Sequence, residues 1–154
     1  MKIKLQSKKS LLEQEDFEVK IVYNQAENFY TINAYNTKGE VVCHATFKTS
    51  YSPRQIWLYK IATAENYQHK GYATAVIKAM EYFAFKSRFD QIEGKYYPEN
   101  EHAKSFYDKH GYIIYKDGYE SYVSKALDFE DIKDNIEPNI SDYELETQQD
   151  QGRE

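Results

Sequence analysis

Hydrophobic periodicity switches between strand and helix spacing along this chain, and the order of those switches bounds the folds open to it. Between residues 17 and 63 the β-branched and aromatic residues fall into four short runs, Phe17 to Tyr23, Phe29 to Tyr35, Val41 to Phe47 and Ile56 to Thr63. Each reads as a strand, and Asn36-Thr37-Lys38-Gly39 between the second and third supplies the glycine that a tight hairpin turn favours. The fourth run is apolar on both faces except at Lys60, as in a central strand covered on both sides. After a polar stretch the period shifts. Ala73, Val76, Ile77, Met80, Phe83 and Ala84 recur at spacings of three and four, an amphipathic helix that ends near Ser87. Gln91 to Tyr97 reads as a short strand in which Gly94 marks a bulge or a close backbone approach. A second helix follows, with Asn100 as N-cap, Ala103, Phe106, Tyr107 and His110 on one face, and Gly111 as a left-handed C-terminal cap. Tyr112 to Tyr115 and Tyr119 to Ser124, joined through Asp117-Gly118, form a closing hairpin. Four strands, helix, strand, helix and two strands make an α+β fold, a mixed β-sheet flanked by helices.

With 154 residues, 41% of them hydrophobic and 16% aromatic, the chain can build one packed core. Its net charge of −5 is unevenly spread. Residues 128–154 hold ten acidic residues against Lys133 and Arg153, a balance of −8, which leaves +3 on residues 1–127. The expected organisation is one domain over 1–127 and an acidic tail over 128–154, partly disordered. Across that boundary Leu127, Phe129, Ile132 and Ile136 offer one short helical segment to the body. A body charge of +3 suits an anionic small molecule but is too small for a nucleic-acid footprint. No run of about 18 apolar residues and no signal-peptide pattern is present, so a cytoplasmic protein without a membrane partner is expected. Cys43 is alone, which excludes an intrachain disulfide and a cysteine-based metal site.

The segment Gln68-His69-Lys70-Gly71-Tyr72-Ala73 lies where a strand gives way to a helix. First-turn amides point outward there, the helix dipole adds positive charge, and a glycine lets a phosphate approach without meeting a Cβ. It is neither a Walker loop nor a dinucleotide fingerprint. About thirty residues on stands Asn100-Glu-His-Ala103-Lys-Ser-Phe106-Tyr107-Asp-Lys-His-Gly111-Tyr112. Together these two motifs, in this order, resemble the GNAT superfamily of acyl-CoA-dependent N-acyltransferases. The first resembles that family's Gln/Arg-x-x-Gly-x-Gly/Ala, the second its Asn-x-x-Ala-x-x-aromatic/Leu-Tyr-x-x-x-Gly-aromatic. The resemblance covers about Ile56 to Tyr115.

It implies a GNAT-like fold and acetyl-CoA as cosubstrate, with no metal. It also implies that the backbone of Ile61 and Thr63 meets the pantetheine, that amides of His69, Gly71, Tyr72, Ala73 and Thr74 hold the pyrophosphate, and that Gln68 and Lys70 assist. Strands Leu58 to Thr63 and Ile92 to Tyr96 would splay to admit the thioester, Asn100 would bond near the pantetheine, and Tyr107 would face the sulfur as general acid. Chemistry agrees for Tyr107, because a phenol of pKa about 10 stays protonated at neutral pH and can hand its proton to a departing thiolate. The base is unassigned. The family's glutamate on the fourth strand is missing, and Glu93, Glu65 and Tyr59 are candidates by proximity.

His44, His69, His102 and His110 show no metal-binding spacing. Cys43 and His44 are neighbours on a strand and point to opposite faces, which rules out a nucleophile dyad. Where the family places two helices between its first two strands, this chain has only Asn24 to Asn28, a shortened N-terminal helical region. Acceptor selection then falls to loops, to the tail or to a second copy in a homodimer. The expected activity is direct transfer of an acetyl group to a primary amine, on a small molecule or a protein. The alternative is a non-catalytic acyl-CoA-binding or regulatory module with the same fold.

Overall fold

The computed structural model describes residues 2–5, 17–128 and 145–146. Within them the chain forms β1 (Lys2–Leu5), β2 (Phe17–Asn24), β3 (Phe29–Tyr35), β4 (Val41–Tyr51), β5 (Arg54–Thr63), α1 (Tyr72–Lys86), β6 (Gln91–Tyr96), α2 (Glu101–Lys109), β7 (Ile113–Asp117), β8 (Glu120–Ala126) and β9 (Leu145–Glu146). The strands make one sheet in the order β7-β8-β6-β5-β4-β3-β2-β1-β9. Neighbours are antiparallel except β5 and β6, which α1 connects in parallel. This is the α+β mixed sheet that the periodicity predicts.

Local chemistry accounts for the turns. Asn36 Oδ1 accepts from the amides of Lys38 and Glu40, each at 3.0 Å, and Gly39 turns the chain at φ 82°. Asn100 caps α2 by accepting from the Ala103 amide at 3.1 Å, and Gly111 follows the helix at φ 85°, as read from the sequence. Between β2 and β3 there is only a turn, where Asn24 Oδ1 accepts from the Glu27 amide at 3.0 Å.

Alternation puts Val19, Ile21, Ile32, Ala34, Phe47, Ile56, Leu58 and Ile92 on one face of the sheet, fully or almost fully buried. The apolar stripe of α1, including Val76, Ile77, Met80 and Phe83, covers them. Burial of each such side chain is worth roughly 1.5–3 kcal/mol. Helix α2 lies on the same side, since its Tyr107 meets Tyr96 of the β6 inner face and Thr74 of α1 contacts His110 at 3.2 Å. A buried cluster ties these parts together: Glu81 of α1, 4% exposed, accepts from the Tyr112 hydroxyl at 2.7 Å and pairs with Lys125 of β8 at 3.2 Å. Lys125 also donates to the His110 carbonyl at 2.8 Å.

Three sequence expectations need correction or qualification. Strands β1 and β9 lie outside the runs read as strands. The Lys-Ile-Lys-Leu alternation of β1 spans only four residues, and β9 has two. Gly94 marks a close approach, not a bulge, because a Cβ there would sit 2.8 Å from the Leu58 carbonyl oxygen while the register of β6 runs unbroken. Strand β5 is not covered on both sides along its length, for Tyr59 is 50% exposed. The short helical segment and the disorder expected of the tail fall outside the described residues.

Candidate active site

The one parallel pair in the sheet is short. Residues Gln55 to Leu58 of β5 pair with Gln91 to Gly94 of β6, and pairing then stops. On its other side β5 stays hydrogen-bonded to β4, but its register shifts so that Lys60 faces Thr46 and Leu58 faces Phe47. Tyr59 is therefore the extra residue of a β-bulge, which bends and twists β5 away from β6. The gap thus opens at Tyr59 and Lys95, later on both strands than the Leu58 and Ile92 that the sequence suggests.

That gap is a cleft of about 280 Å³ lined by residues 59–63 of β5, Lys95 to Tyr97 at the end of β6, Ala73 at the start of α1, and Asn100, His102, Ala103, Phe106 and Tyr107 of the α2 turn and helix. The Ala64 amide donates to the Val42 carbonyl at 2.9 Å, which makes Thr63 and Cys43 a non-hydrogen-bonded pair. By the same alternation Ile61, opposite Ala45, turns its N–H and C=O away from β4 and into the gap. The strand therefore offers unpaired backbone groups along one wall.

At the end of that wall the chain turns into α1 through Gly71, at φ 93° and ψ 0°, a left-handed conformation that favours glycine. The first helical bond runs from the Ala75 amide to the Gly71 carbonyl, so the first-turn amides that precede it aim outward from the positive end of the helix. Opposite stands Tyr107, 6% exposed, its ring edge-on to Tyr96 at 6.5 Å and to Tyr112 at 5.5 Å. Burial pushes its phenol up to about 12, so it stays protonated throughout the neutral range.

A strand pair opened by a bulge, with a helix N-terminus at one end of the opening, is an arrangement suited to an extended anionic thioester. A family model described as the acetyltransferase (GNAT) family matches residues 3–112. The chain belongs to this family. Among curated proteins none matches it by sequence. Solved structures with the same fold include an acetyltransferase of the GNAT family from Staphylococcus aureus, 14% identical, with 68% of this chain and 72% of that one covered at a TM-score of 0.61. Nourseothricin acetyltransferase is 18% identical over 67% of this chain and 68% of its own, at 0.60. The PaiA N-acetyltransferase of Thermoplasma acidophilum, in complex with coenzyme A, is 17% identical over 67% and 64%, at 0.59.

In this GNAT protein Ile61, Thr63, Ala73, Asn100 and Tyr107 come together as walls of one cleft. Gln68, His69, Lys70, Gly71, Tyr72 and Thr74 form the adjoining turn, and several of their side chains are already engaged. The Gln68 amide donates to the Thr63 carbonyl at 3.3 Å, and Thr74 Oγ1 contacts His110. Tyr72 is buried in the core against Tyr67, which leaves only its backbone facing the turn. Lys70 lies 5.9 Å over the Tyr67 ring, and His69, held at φ 64°, stands edge-on to His102 at 5.9 Å.

Of the three candidate bases only Tyr59 lines the cleft. Glu93 sits on the opposite sheet face, where its carboxylate accepts from the hydroxyls of Tyr115 and Ser124. Glu65 is exposed on the single 3₁₀ turn Glu65–Tyr67. Cys43 is buried with its thiol pushed up to about 11, and Thr63 Oγ1 donates to its sulfur, which leaves no thiolate for chemistry. Among the described residues no cluster of three or more His, Cys, Asp or Glu is placed to hold a metal. None of their helices is long and apolar enough to cross a membrane. Lys60, Lys95 and Tyr96 fall within the strand spans expected to splay but were not singled out, and sequence reasoning missed Tyr97, His102 and Phe106 as cleft residues. Lys60 alone left a signal, as the one polar interruption in an apolar run.

Proposed function

We propose that this protein transfers an acetyl group from acetyl-CoA directly to a primary amine, with Tyr107 as proton donor to the departing CoA thiolate. The observation that carries the reading is the placement of Tyr107. It is a protonated, buried phenol on the wall of a cleft whose opposite wall offers the N–H and C=O of Ile61. In this reading the amides of the α1 first turn and Lys70 take the pyrophosphate, and the backbone of Ile61 takes the pantetheine. The family's use of acetyl-CoA supports the cosubstrate, and its commonest chemistry supports an amine.

The amine nitrogen adds to the thioester carbonyl carbon, the C–S bond then breaks with its electron pair going to sulfur, and Tyr107 protonates that sulfur. The proton lost by nitrogen returns through water to the tyrosinate, so the products are an amide and free CoA thiol. A phenol at about 12 is a weak acid in bulk water, but the burial that raises it raises the thiolate's proton affinity too. Only about one alkylammonium in 2,500 is neutral at pH 7, an amount worth about 4.6 kcal/mol, so removal of the amine proton is the demanding step.

Calorimetry with acetyl-CoA and thiol detection with a panel of amines test the reading. Micromolar-range binding, raised Tm and amine-dependent thiol release are expected. Gly71→Glu, which adds bulk, charge and a strained φ at the turn, should abolish binding. Binding without thiol release for any amine would favour the alternative of a non-catalytic acyl-CoA module.

A further inference from the structure

The cleft is lined from both faces of the sheet, and the two faces differ in charge. On the helix face Ile61, Ala73, Phe106 and Tyr107 form apolar and aromatic walls. On the other face, where Lys60 shares a side with Thr46 and Lys95 one with Tyr122, two lysines stand on the two lips of the opening. No carboxylate lines the cleft among the described residues. Lys95 has its counter-charge, Glu120, at 2.9 Å. Lys60 is exposed and has no ion-pair partner among the described residues. Its neighbour on the same face is His44, whose pKa is lowered by burial and by Lys60 itself, so His44 is held toward its neutral form and leaves Lys60 as the cation of that face.

A phosphate-binding role for Lys60 does not fit its position. The turn suited to pyrophosphate is at Gly71, on the helix side and beyond the end of β5, whereas Lys60 lies at the bulge where the gap begins, on the opposite face. We infer that Lys60 selects the acceptor, and that the acceptor is a primary amine carrying a carboxylate or a phosphate-type group close to its nitrogen, an amino-acid-like compound and not a di- or polyamine. The inference rests on the acetyl-transfer reading above.

The physics favours this class twice. A cation with no ion-pair partner among the described residues attracts an acid group on the incoming molecule, with a charge-assisted hydrogen bond available from its three N–H donors. The same cation disfavours a bare alkylammonium held nearby and shifts that amine toward the neutral, nucleophilic form. A polyamine, with a second ammonium to place, meets repulsion from Lys60 and finds no acid among the described residues of the cleft walls.

Matched acceptors test it: an amino acid, the aminoalkyl phosphonate of the same length, the parent amine lacking the acid group, and a diamine. Wild type should show at least tenfold higher kcat/KM for one of the two acid-bearing amines than for the parent amine, and the carboxylate and phosphonate arms identify which anion is used. In Lys60→Met that selectivity ratio should fall about tenfold, through KM more than kcat. Lys60→Glu should reverse the preference toward the diamine. Turnover of the parent amine or the diamine in preference to both acid-bearing amines would overturn the inference while leaving acetyl transfer intact. So would an unchanged ratio in Lys60→Met, or a tenfold loss of acetyl-CoA affinity in that variant without a change in ratio, which would assign Lys60 to the cosubstrate. Absence of thiol release with every acceptor would instead refute the transfer reading beneath it.

Discussion

At the scale of single residues, two titratable groups are held far from their ordinary behaviour, one in the cleft and one in the packing behind it. Tyr107 is the proton donor in our reading. Tyr107→Phe keeps the ring contacts with Tyr96 and Tyr112 and removes only the hydroxyl. Turnover should drop about 10²-fold with the acetyl-CoA dissociation constant nearly unchanged, as single-turnover kinetics and calorimetry can read separately. Because the phenol is pushed up to about 12, the donor form persists until the pH nears that value, so an alkaline fall in rate at lower pH belongs to another group and should survive in the variant. His110 is the second case. Burial and the nearby Lys78, Lys109 and Lys125 lower it to about 4. Unfolded, it takes up a proton near pH 6.5 that the folded form refuses until about pH 4, so the folded state loses stability as the pH falls through that window. His110→Gln can keep the contact with Thr74 and should remove about 2–3 kcal/mol of that acid sensitivity, seen as a flatter Tm profile than wild type between pH 6.5 and 4.

At the scale of elements the cleft is a consequence of how β5 and β6 meet and part. They meet closely because residue 94 has no side chain, and they part because the extra residue Tyr59 bends β5. Gly94→Ala places a Cβ 2.8 Å from the Leu58 carbonyl oxygen and 3.3 Å from the Leu58 Cβ. Backbone cannot yield as a flexible side chain can, so the variant should lose about 1–3 kcal/mol in urea unfolding and bind acetyl-CoA more weakly as the gap changes shape. An unaltered unfolding midpoint would mean that β6 has room the geometry denies. The sequence shows the glycine and the two helices clearly, because periods of three and four and capping residues are local signals. It shows no bulge, since the two-against-one count at Tyr59 exists only relative to β4.

At the scale of the whole molecule the acidic tail returns to the far edge of the sheet, where Leu145–Glu146 pairs with β1. Removing residues beyond 137 takes away this two-residue contact and five of the tail's ten acidic residues, and leaves the core, the cleft and α1 in place. The shortened chain should keep a cooperative melt with Tm lowered by no more than about 4 °C, the shift expected of about 1 kcal/mol in a chain of this size, and should keep its acetyl-CoA affinity. Loss of the cooperative transition would make the tail part of the fold.

What the sequence determined by itself is what depends on neighbours along the chain. The runs that become β2 to β6, the two helices, the Asn100 cap, the Gly71 turn and the Asn100-to-Tyr112 motif are all written in spacings of a few residues, and family membership was legible from them. What the tertiary structure decided depends on residues distant in sequence. It set Glu93 against Tyr115 and Ser124 and away from the cleft, brought β9 to β1, and placed Lys60 and Lys95, 35 positions apart, on facing lips of one opening. Strand order and register fix which side chains share a face, and no local period carries that information.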